Sequence, residues 1–295
     1  MREQYRFKMK RALTSSHHRL RRQVNHLHDQ IHNRHYKLQL HFSSAATTTK
    51  TVGKKKGKKR KKKQLLFATR FPFDSLEENL TSTIIPNAGA IFCSEPPHYL
   101  GPVPPSEHHD TREVAFVGRS NVGKSSLVGS LFQQPKMVRS SKTPGRTRET
   151  LFFALGDRTH LPFPLLLVDL PGYGFARASN SLQEEWESKM ADYLTTRGEI
   201  LTRVFVLVDA RREGMSDLDV GMADFLNDNG VPFQLVLTKC DSVHSLEVQR
   251  VANLVIEDAW SYQYCSREVI AVSAKKDRGL SELRQAVLQS TGYEG

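Results

Sequence analysis

Residues 118–125 read Gly-Arg-Ser-Asn-Val-Gly-Lys-Ser, which fits the pattern G-x-x-x-x-G-K-[ST]. An apolar run at 114–117 precedes this stretch and a helix-compatible segment follows Lys124, so the pattern has the strand–loop–helix setting that it needs. Glycines let the backbone curl round an anion, and a helix N-terminus adds positive potential. The stretch therefore predicts a phosphate-binding loop inside an α/β domain.

The side chains of this loop fit the chemistry of a nucleoside triphosphate. Lys124 can reach the β- and γ-phosphates, and the Ser125 hydroxyl can ligate Mg²⁺. The predicted nucleotide-binding residues of the loop are Gly118, Arg119, Ser120, Asn121, Val122, Gly123, Lys124, Ser125 and Ser126.

Outward from the loop, short apolar runs alternate with helical patterns from about residue 112 onward. The predicted strands are 114–117, 151–155, 164–170, 204–209, 233–238 and 269–273. Predicted helices follow Lys124 and cover 181–196, 218–227, 246–259 and 280–288. Continuous apolar strands are typical of a mainly parallel sheet that is buried on both faces. We expect an α/β domain over 112–293, with a mostly parallel six-stranded sheet and helices on both faces.

A second motif, Asp169-Leu170-Pro171-Gly172, ends the third predicted strand. Asp169 can hold Mg²⁺ through water there, and Gly172 can turn its N–H towards a γ-phosphate. Alone the motif is a weak signal, since Asp-x-Pro-Gly is also ordinary turn chemistry. Its position, about 45 residues after the phosphate loop, favours the nucleotide interpretation for all four residues.

Two further motifs end the last two predicted strands. In Thr238-Lys239-Cys240-Asp241, the Asp241 carboxylate can accept hydrogen bonds from the N1–H and amine of guanine, a donor pair that adenine lacks. The Lys239 stem would pack along the purine, and Cys240 is interpreted as a filler position rather than a redox or metal site. In Ser273-Ala274-Lys275, backbone N–H groups can contact guanine O6. The ordered series predicts guanine specificity.

A loop between the first two predicted strands, 142–148, reads Lys-Thr-Pro-Gly-Arg-Thr-Arg. A nucleotide switch in this place needs a Thr whose hydroxyl meets Mg²⁺ and whose N–H meets the γ-phosphate. Thr143 and Thr147 both fit on spacing. Turn composition alone would equally give an inert loop.

The charge of the chain is divided very unevenly. The formal net charge is +12, but residues 1–70 carry 21 Lys or Arg and two acids, a net of +19, whereas 71–295 carry a net of −7. Overall basicity is therefore no argument that the folded domain binds nucleic acid. Residues 54–63 hold nine basic side chains in ten, which fits a nuclear or nucleolar address, an RNA-phosphate arm or a removed spacer.

The N-terminal part of the chain has two further features. Arg-rich, acid-poor residues 1–49 place Leu and Ile on one helical face, which is typical of an organellar transit peptide, although a disordered basic tail is the alternative. Seven prolines in 71–111 indicate a linker and domain lead-in after a basic extension over 1–70. Three widely spaced cysteines give no disulfide framework, and no apolar run is long enough for a transmembrane helix.

Together these motifs identify a family resemblance. The runs GRSNVGKSSL, SKTPGRT, DLPGYGFA, TKCD and SAK resemble the EngB-type (YsxC/YihA) ribosome-biogenesis GTP-binding proteins, translation-factor-related P-loop GTPases, over about residues 91–292. Bacterial members usually carry Gln where this chain has Arg148, and they lack anything like residues 1–90. The resemblance, together with the additional residues 1–90, implies a eukaryotic, organelle-targeted member of the family.

The resemblance implies a Ras-like fold whose second strand, 151–155, is antiparallel in an otherwise parallel sheet. It selects Thr147 over Thr143 as the switch residue, so that Mg²⁺ is expected at Ser125, Thr147 and Asp169, with Lys124, Thr147 and Gly172 as catalytic residues. The nucleotide-binding residues that it adds are Gly145, Arg146, Thr147, Arg148 and Glu149.

The resemblance also implies a partner, the precursor of the large ribosomal subunit, for a monomeric protein with no membrane association. Many GTPases place a water-orienting Gln after D-x-x-G, where this chain has Tyr173, so we expect slow intrinsic hydrolysis. We expect the positive charge that stabilises the transition state of hydrolysis to come from K⁺ held with the help of Asn121, or from the ribosome itself.

The alternative function is an rRNA-binding scaffold in which hydrolysis is incidental. The expected location is the mitochondrial matrix, with plastid and nucleolus as alternatives.

Overall fold

The computed structural model describes residues 69–72, 85, 88–93, 96–101, 111–134, 150–156, 164–174 and 180–293, with the backbone alone for 180–186. The predicted targeting segment, the Lys-rich run at 54–63 and the predicted switch loop at 142–149 lie outside these residues.

The described residues form eight strands in a single sheet. The strands are β1 (Arg70–Pro72), β2 (His98–Gly101), β3 (Glu113–Gly118), β4 (Leu151–Leu155), β5 (Leu165–Asp169), β6 (Leu201–Asp209), β7 (Phe233–Thr238) and β8 (Glu268–Ala271). Their order across the sheet is β1-β8-β7-β6-β3-β5-β4-β2. Neighbours from β8 to β5 are parallel, and β4 pairs antiparallel with β5, as the family resemblance implied.

The expected number of six strands is corrected to eight, because the described sheet has an additional short strand at each edge. β1 pairs antiparallel with β8 and β2 with β4, so the expectation of a single antiparallel strand is corrected as well. Both strands are short, lie near prolines in the stretch predicted as linker, and need a partner on one side alone. Such edges carry no continuous apolar run that a sequence pattern could detect.

Helices cover both faces of the sheet, as predicted. Within the described residues they are α1 (Ala88–Cys93), α2 (Lys124–Leu131), α3 (Asn180–Thr196), α4 (Asp217–Asp228), α5 (Ser245–Ala259) and α6 (Leu280–Thr291). Side chains of β3 alternate between two hydrophobic clusters, with Ala115 and Val117 in one and Val114 and Phe116 in the other. The first cluster includes residues of α3, α4 and α5, and the second includes residues of α1, α2 and α6.

The carboxyl ends of the five parallel strands meet at one edge of the sheet, where open α/β sheets bind their ligands. The strands end there at Gly118, Asp169, Asp209, Thr238 and Ala271. The opposite edge is closed by buried Glu113, which accepts hydrogen bonds from Arg197 Nε at 3.0 Å and from the Tyr193 hydroxyl at 2.7 Å.

All three cysteines, Cys93, Cys240 and Cys265, are free thiols, as their spacing predicted. None of the helices in the described part of the chain has the length and apolar character to cross a bilayer.

Candidate functional site

The phosphate loop is shaped by close packing at the end of β3. A Cβ atom on Gly118 would lie 2.8 Å from Val122 Cγ1 and 3.0 Å from Leu207 Cβ, so a larger residue would displace the loop. Gly123 has φ 106°, which favours glycine, and its carbonyl accepts the Leu127 N–H at 2.9 Å. The sequence thus folds into a tight turn that passes directly into α2.

The first turn of α2 faces this edge of the sheet. Its opening N–H groups, including those of Ser125 and Ser126, have no acceptor inside the helix because no residue precedes them by a full turn. The Val122 N–H is used within the loop, where it donates to the Arg119 carbonyl at 3.0 Å. The helix therefore presents N–H groups that have no acceptor within the helix, and the positive end of its dipole, to an anion.

Asp169, at the end of β5, lies beside the lysine of the phosphate loop. The Lys124 ammonium donates to Asp169 Oδ1, and the two side chains are 7% and 0% exposed. Among the described residues, Asp169 Oδ2 has no hydrogen-bond donor although it is buried. An unpaired buried oxygen costs about 1–3 kcal/mol, which a water bound to Mg²⁺ would offset.

The predicted magnesium ligands fit this arrangement as far as the structure describes them. Asp169 offers the unpaired oxygen and Ser125 a half-buried hydroxyl in the first turn of α2. Thr147, the third expected ligand, lies outside the described residues. The donor set of hydroxyl and carboxylate oxygens is the hard-ligand chemistry that Mg²⁺ prefers.

The turn after Asp169 is pressed against the phosphate loop. A Cβ atom on Gly172 would lie 3.3 Å from both the Gly118 carbonyl oxygen and Ser120 Oγ. The Tyr173 N–H donates to the Gly118 carbonyl at 3.2 Å, and the Ser120 N–H donates to the Tyr173 carbonyl at 2.9 Å. Gly172 is therefore brought to the phosphate loop, whereas Leu170 is fully buried beside it.

The Tyr173 side chain is directed to α4. Its hydroxyl donates to Asp219 Oδ1 at 2.8 Å. Burial, and then the negative charge and hydrogen bond of Asp219, raise the pKa of Tyr173 well above its usual value. The hydroxyl therefore keeps its proton and remains a donor to Asp219.

At the other end of the site, the loop after β7 is tied to the phosphate loop. The Thr238 hydroxyl donates to the Val122 carbonyl at 2.7 Å. Lys239 has a left-handed backbone, and its ammonium donates to the Asn121 carbonyl. Its Cε atom lies 3.5 Å from the Cβ position of Gly123, so the lysine stem crosses the phosphate loop.

Asp209, at the end of β6, is a site residue that the sequence analysis missed. Its Oδ2 atom accepts a hydrogen bond from the Lys239 ammonium at 2.9 Å and from Arg211 Nη2 at 2.7 Å. Burial favours a raised pKa for Asp209, but the hydrogen bonds from Arg211 and Lys239 outweigh it and hold the pKa below the usual range. The available signal was an acid at the carboxyl end of an apolar strand.

The third and fourth motifs meet in space. The Ser273 hydroxyl donates to Asp241 Oδ1 at 2.6 Å, and the Lys276 N–H donates to Ser273 Oγ at 3.1 Å. Gly279 has φ 70°, and a Cβ atom there would overlap the Ala271 carbonyl, so the loop between β8 and α6 needs glycine. Asp241 is thus held by Ser273, next to half-buried Ala274 and exposed Lys275.

Cys240 points into the protein. It is 1% exposed, and its Sγ atom donates to the Leu237 carbonyl at 3.4 Å. Burial raises the pKa of this thiol to about 12, so it stays uncharged at neutral pH. These observations agree with its interpretation as a filler.

The structure therefore brings the predicted residues of all four motifs to one edge of the sheet. Pro171 lies in the same turn as Gly172 and is partly exposed. The expected switch residues Gly145, Arg146, Thr147, Arg148 and Glu149 lie outside the described residues.

Comparisons with known proteins lead to the same class of site. A family model described as "50S ribosome-binding GTPase" matches residues 113–239. The probable GTP-binding protein EngB of Bartonella quintana is 40% identical over 197 residues, which cover 65% of this chain and 87% of that protein. The corresponding protein of Caulobacter vibrioides is 38% identical over 208 residues, or 68% and 86% of the two chains.

Among solved structures, a crystal structure of a probable GTP-binding protein engB is 23% identical. The match covers 61% of this chain and 98% of that chain, with a TM-score of 0.48.

Proposed function

The chain belongs to the EngB family of GTP-binding proteins, and we propose that it is a slow GTPase switch for assembly of the large ribosomal subunit in an organelle. Binding of GTP and GDP and hydrolysis of GTP follow from the family. The observation that carries the ribosomal role is the 50S ribosome-binding GTPase match over 113–239, which spans the phosphate loop and the 169–172 turn.

The geometry supports binding of a guanine nucleotide along the carboxyl edge of the sheet. Asp241, held by Ser273, would accept the guanine donors, and the Lys239 stem, which crosses the phosphate loop, would pack along the base. Lys124 and the free N–H groups of α2 hold the phosphates. Ser125 and Asp169 would hold Mg²⁺, which would neutralise negative charge on the phosphates when bound.

Hydrolysis needs a source of positive charge beyond the described side chains. The Tyr173 hydroxyl is bonded to Asp219, so it neither orients water nor reaches the γ-phosphate. We propose that K⁺ near Asn121 or the ribosome supplies the charge. Asn121 is exposed with φ 67°, so its amide is free of the core. Turnover should be faster in KCl than in NaCl at equal ionic strength, and equal rates contradict the K⁺ proposal.

Cosedimentation with large ribosomal subunits tests the switch itself. We expect the chain to bind the subunit when it carries a non-hydrolysable GTP analogue and to bind it only weakly when it carries GDP. We expect it to bind as a monomer, through contacts with rRNA or ribosomal protein. Ser125→Ala should fail to restore subunit assembly in depleted cells, because the nucleotide state no longer changes. Full restoration by this variant favours the alternative function, an rRNA-binding scaffold in which hydrolysis is incidental.

The mitochondrial matrix is the location that we propose, with plastid and nucleolus as alternatives, because residues 1–49 are Arg-rich and nearly free of acids. The Thr69 carbonyl accepts the Ala271 N–H at 2.8 Å and β1 begins at Arg70, so processing is expected before residue 69. Such a cut between 64 and 68 would also remove the Lys-rich run. N-terminal sequencing of the mature protein tests this, and a start beyond residue 69 contradicts it.

A further inference from the structure

Tyr173 makes three hydrogen bonds to other parts of the protein. Its N–H donates to the Gly118 carbonyl at 3.2 Å, its carbonyl accepts the Ser120 N–H at 2.9 Å, and its hydroxyl donates to Asp219 at 2.8 Å. The first two bonds join it to the phosphate loop, and the third joins it to α4. The residue is 7% exposed, so solvent competes little for any of these bonds.

Asp219 divides its two oxygens between two tasks. Oδ1 accepts the Tyr173 hydroxyl, whereas Oδ2 accepts the N–H of Ser216 at 2.9 Å and its hydroxyl at 2.6 Å. The second pair closes a capping box at the start of α4. The carboxylate is 2% exposed, so α4 presents a fixed acceptor to Tyr173.

The next residue strengthens this contact. Gly174 has φ 72°, and a Cβ atom there would overlap Leu218 Cδ1 in the first turn of α4. The chain that leaves Tyr173 therefore runs directly against the helix, in a conformation that favours glycine.

We infer that Tyr173 and Asp219 form a clasp that positions the Gly172 N–H for the γ-phosphate. Gly172 immediately precedes the clasp, and its Cα region already packs on Ser120 and the Gly118 carbonyl. With Tyr173 fixed on both sides, the Gly172 amide has little freedom, so less order is lost when a γ-phosphate binds. GDP has no γ-phosphate, so the clasp acts on GTP alone. Tyr173 is thus a positioning residue in the place where other GTPases carry a catalytic Gln, and the inference depends on the proposed role of Gly172.

Tyr173→Phe tests the clasp because it removes the hydroxyl and keeps the ring. We expect the affinity for a GTP analogue to fall about tenfold while GDP affinity changes less than about twofold. Ser216→Ala is the matched control, since it removes the hydroxyl from the α4 cap but keeps both the N–H bond of residue 216 to Asp219 Oδ2 and the Tyr173–Asp219 bond. It should lower the melting temperature without changing the ratio of GTP to GDP affinity.

Gly172→Ala separates failure of the clasp from failure of the assigned γ-phosphate contact. A loss of GTP affinity in Gly172→Ala but not in Tyr173→Phe overturns the clasp alone, and no loss in either overturns the role of Gly172 as well. Three further outcomes overturn the clasp. The first is a loss of GTP affinity in Tyr173→Phe without one in Gly172→Ala, and the second is an equal loss of GDP affinity in Tyr173→Phe. The third is the same change in the ratio of GTP to GDP affinity in Ser216→Ala.

Hydrogen exchange on the unaltered chain covers the case in which Tyr173→Phe does not fold. The amides of Ser120 and Tyr173 should show equal protection with GDP and with the GTP analogue. A loss of protection at either amide in one nucleotide state overturns the inference, because the clasp would then open with the switch.

Discussion

At the guanine end of the site, the Ser273 hydroxyl donates to Asp241 and the Lys239 ammonium donates to Asp209, whereas at the phosphate end Asp169 Oδ2 has no donor within the described structure. The acids at both ends lie at the carboxyl edge of the same sheet. The guanine end is therefore prepared for its ligand by bonds within the protein, and the phosphate end is completed by the ligand.

This difference indicates how binding free energy is used. Groups that are already fixed lose little conformational freedom on binding, so the guanine end contributes equally to GDP and GTP affinity. The buried Lys124–Asp169 pair belongs to folding as well as to binding. Changes to the side chains that contact guanine should alter affinity without unfolding the protein, whereas changes to the Lys124–Asp169 pair should alter both affinity and stability.

The largest effect is expected for Asp241→Asn. Two charge-assisted hydrogen bonds to guanine are worth about 3–6 kcal/mol together, so GDP affinity should fall by a factor of about 10²–10⁴ and xanthosine diphosphate should bind better. Calorimetry with both nucleotides measures this. Asp277→Asn makes the same change at an exposed residue of the neighbouring loop and should be neutral. Unchanged GDP affinity in Asp241→Asn refutes the assignment of the guanine end.

Lys124→Ala should lower stability even without nucleotide. It leaves the buried Asp169 carboxylate with no hydrogen-bond donor on either oxygen among the described residues, which costs about 3–5 kcal/mol. Urea denaturation of nucleotide-free protein measures the loss. Ser125→Ala removes a predicted magnesium ligand outside the ion pair and should leave this stability unchanged. If nucleotide-free Lys124→Ala protein is as stable as the parent, the phosphate end contributes no more to folding than the guanine end does.

Asp209→Asn should weaken GDP and GTP binding equally, by about 2 kcal/mol, because Lys239 loses its charged partner beside the phosphate loop. Competition binding with both nucleotides checks the equality. Arg211→Ala is the control. Its side chain is 52% exposed, so its ion pair with Asp209 should contribute less than about 1 kcal/mol. A selective loss of GTP binding in Asp209→Asn would place this acid at the phosphate end.

The smallest effect is expected at the edge strand beside the guanine end. A chain starting at residue 73 loses β1, the burial of Phe71 and the Arg70–Glu268 ion pair. Because the conformational entropy of ordering these residues opposes their contacts, the net loss in the free energy of unfolding should be about 1 kcal/mol. A chain starting at residue 69 keeps all three. Thermal melts should separate the two, with GDP affinity nearly equal. Identical melts would show that the edge strand does not reinforce this end.

The sequence predicted the arrangement of the sheet where apolar runs are long and local. The prediction for β7, 233–238, matches the observed bounds, and the four motifs fall at strand ends as expected. β6 begins at Leu201 rather than 204, because Thr202 and Arg203 interrupt the apolar pattern although Leu201 and Arg203 still pair with β3, across a register shift at Thr202.

What the sequence could not predict depends on contacts between distant residues. Tyr173 and Asp219 are 46 positions apart, and Asp209 and Lys239 are 30 apart, on different elements. No local periodicity marks such pairs. The short elements β1, β2 and α1 were missed for a related reason, since their stability comes from the sheet and core to which they add.

The direction of β1 has a practical use for experimental design. Because β1 runs antiparallel to β8, the residue before Arg70 lies beside Ala271, two positions before Ser273. A fluorophore attached to a new N-terminus at residue 69 would therefore lie beside the strand that leads into the guanine loop. Such a probe offers an optical readout of nucleotide exchange in real time.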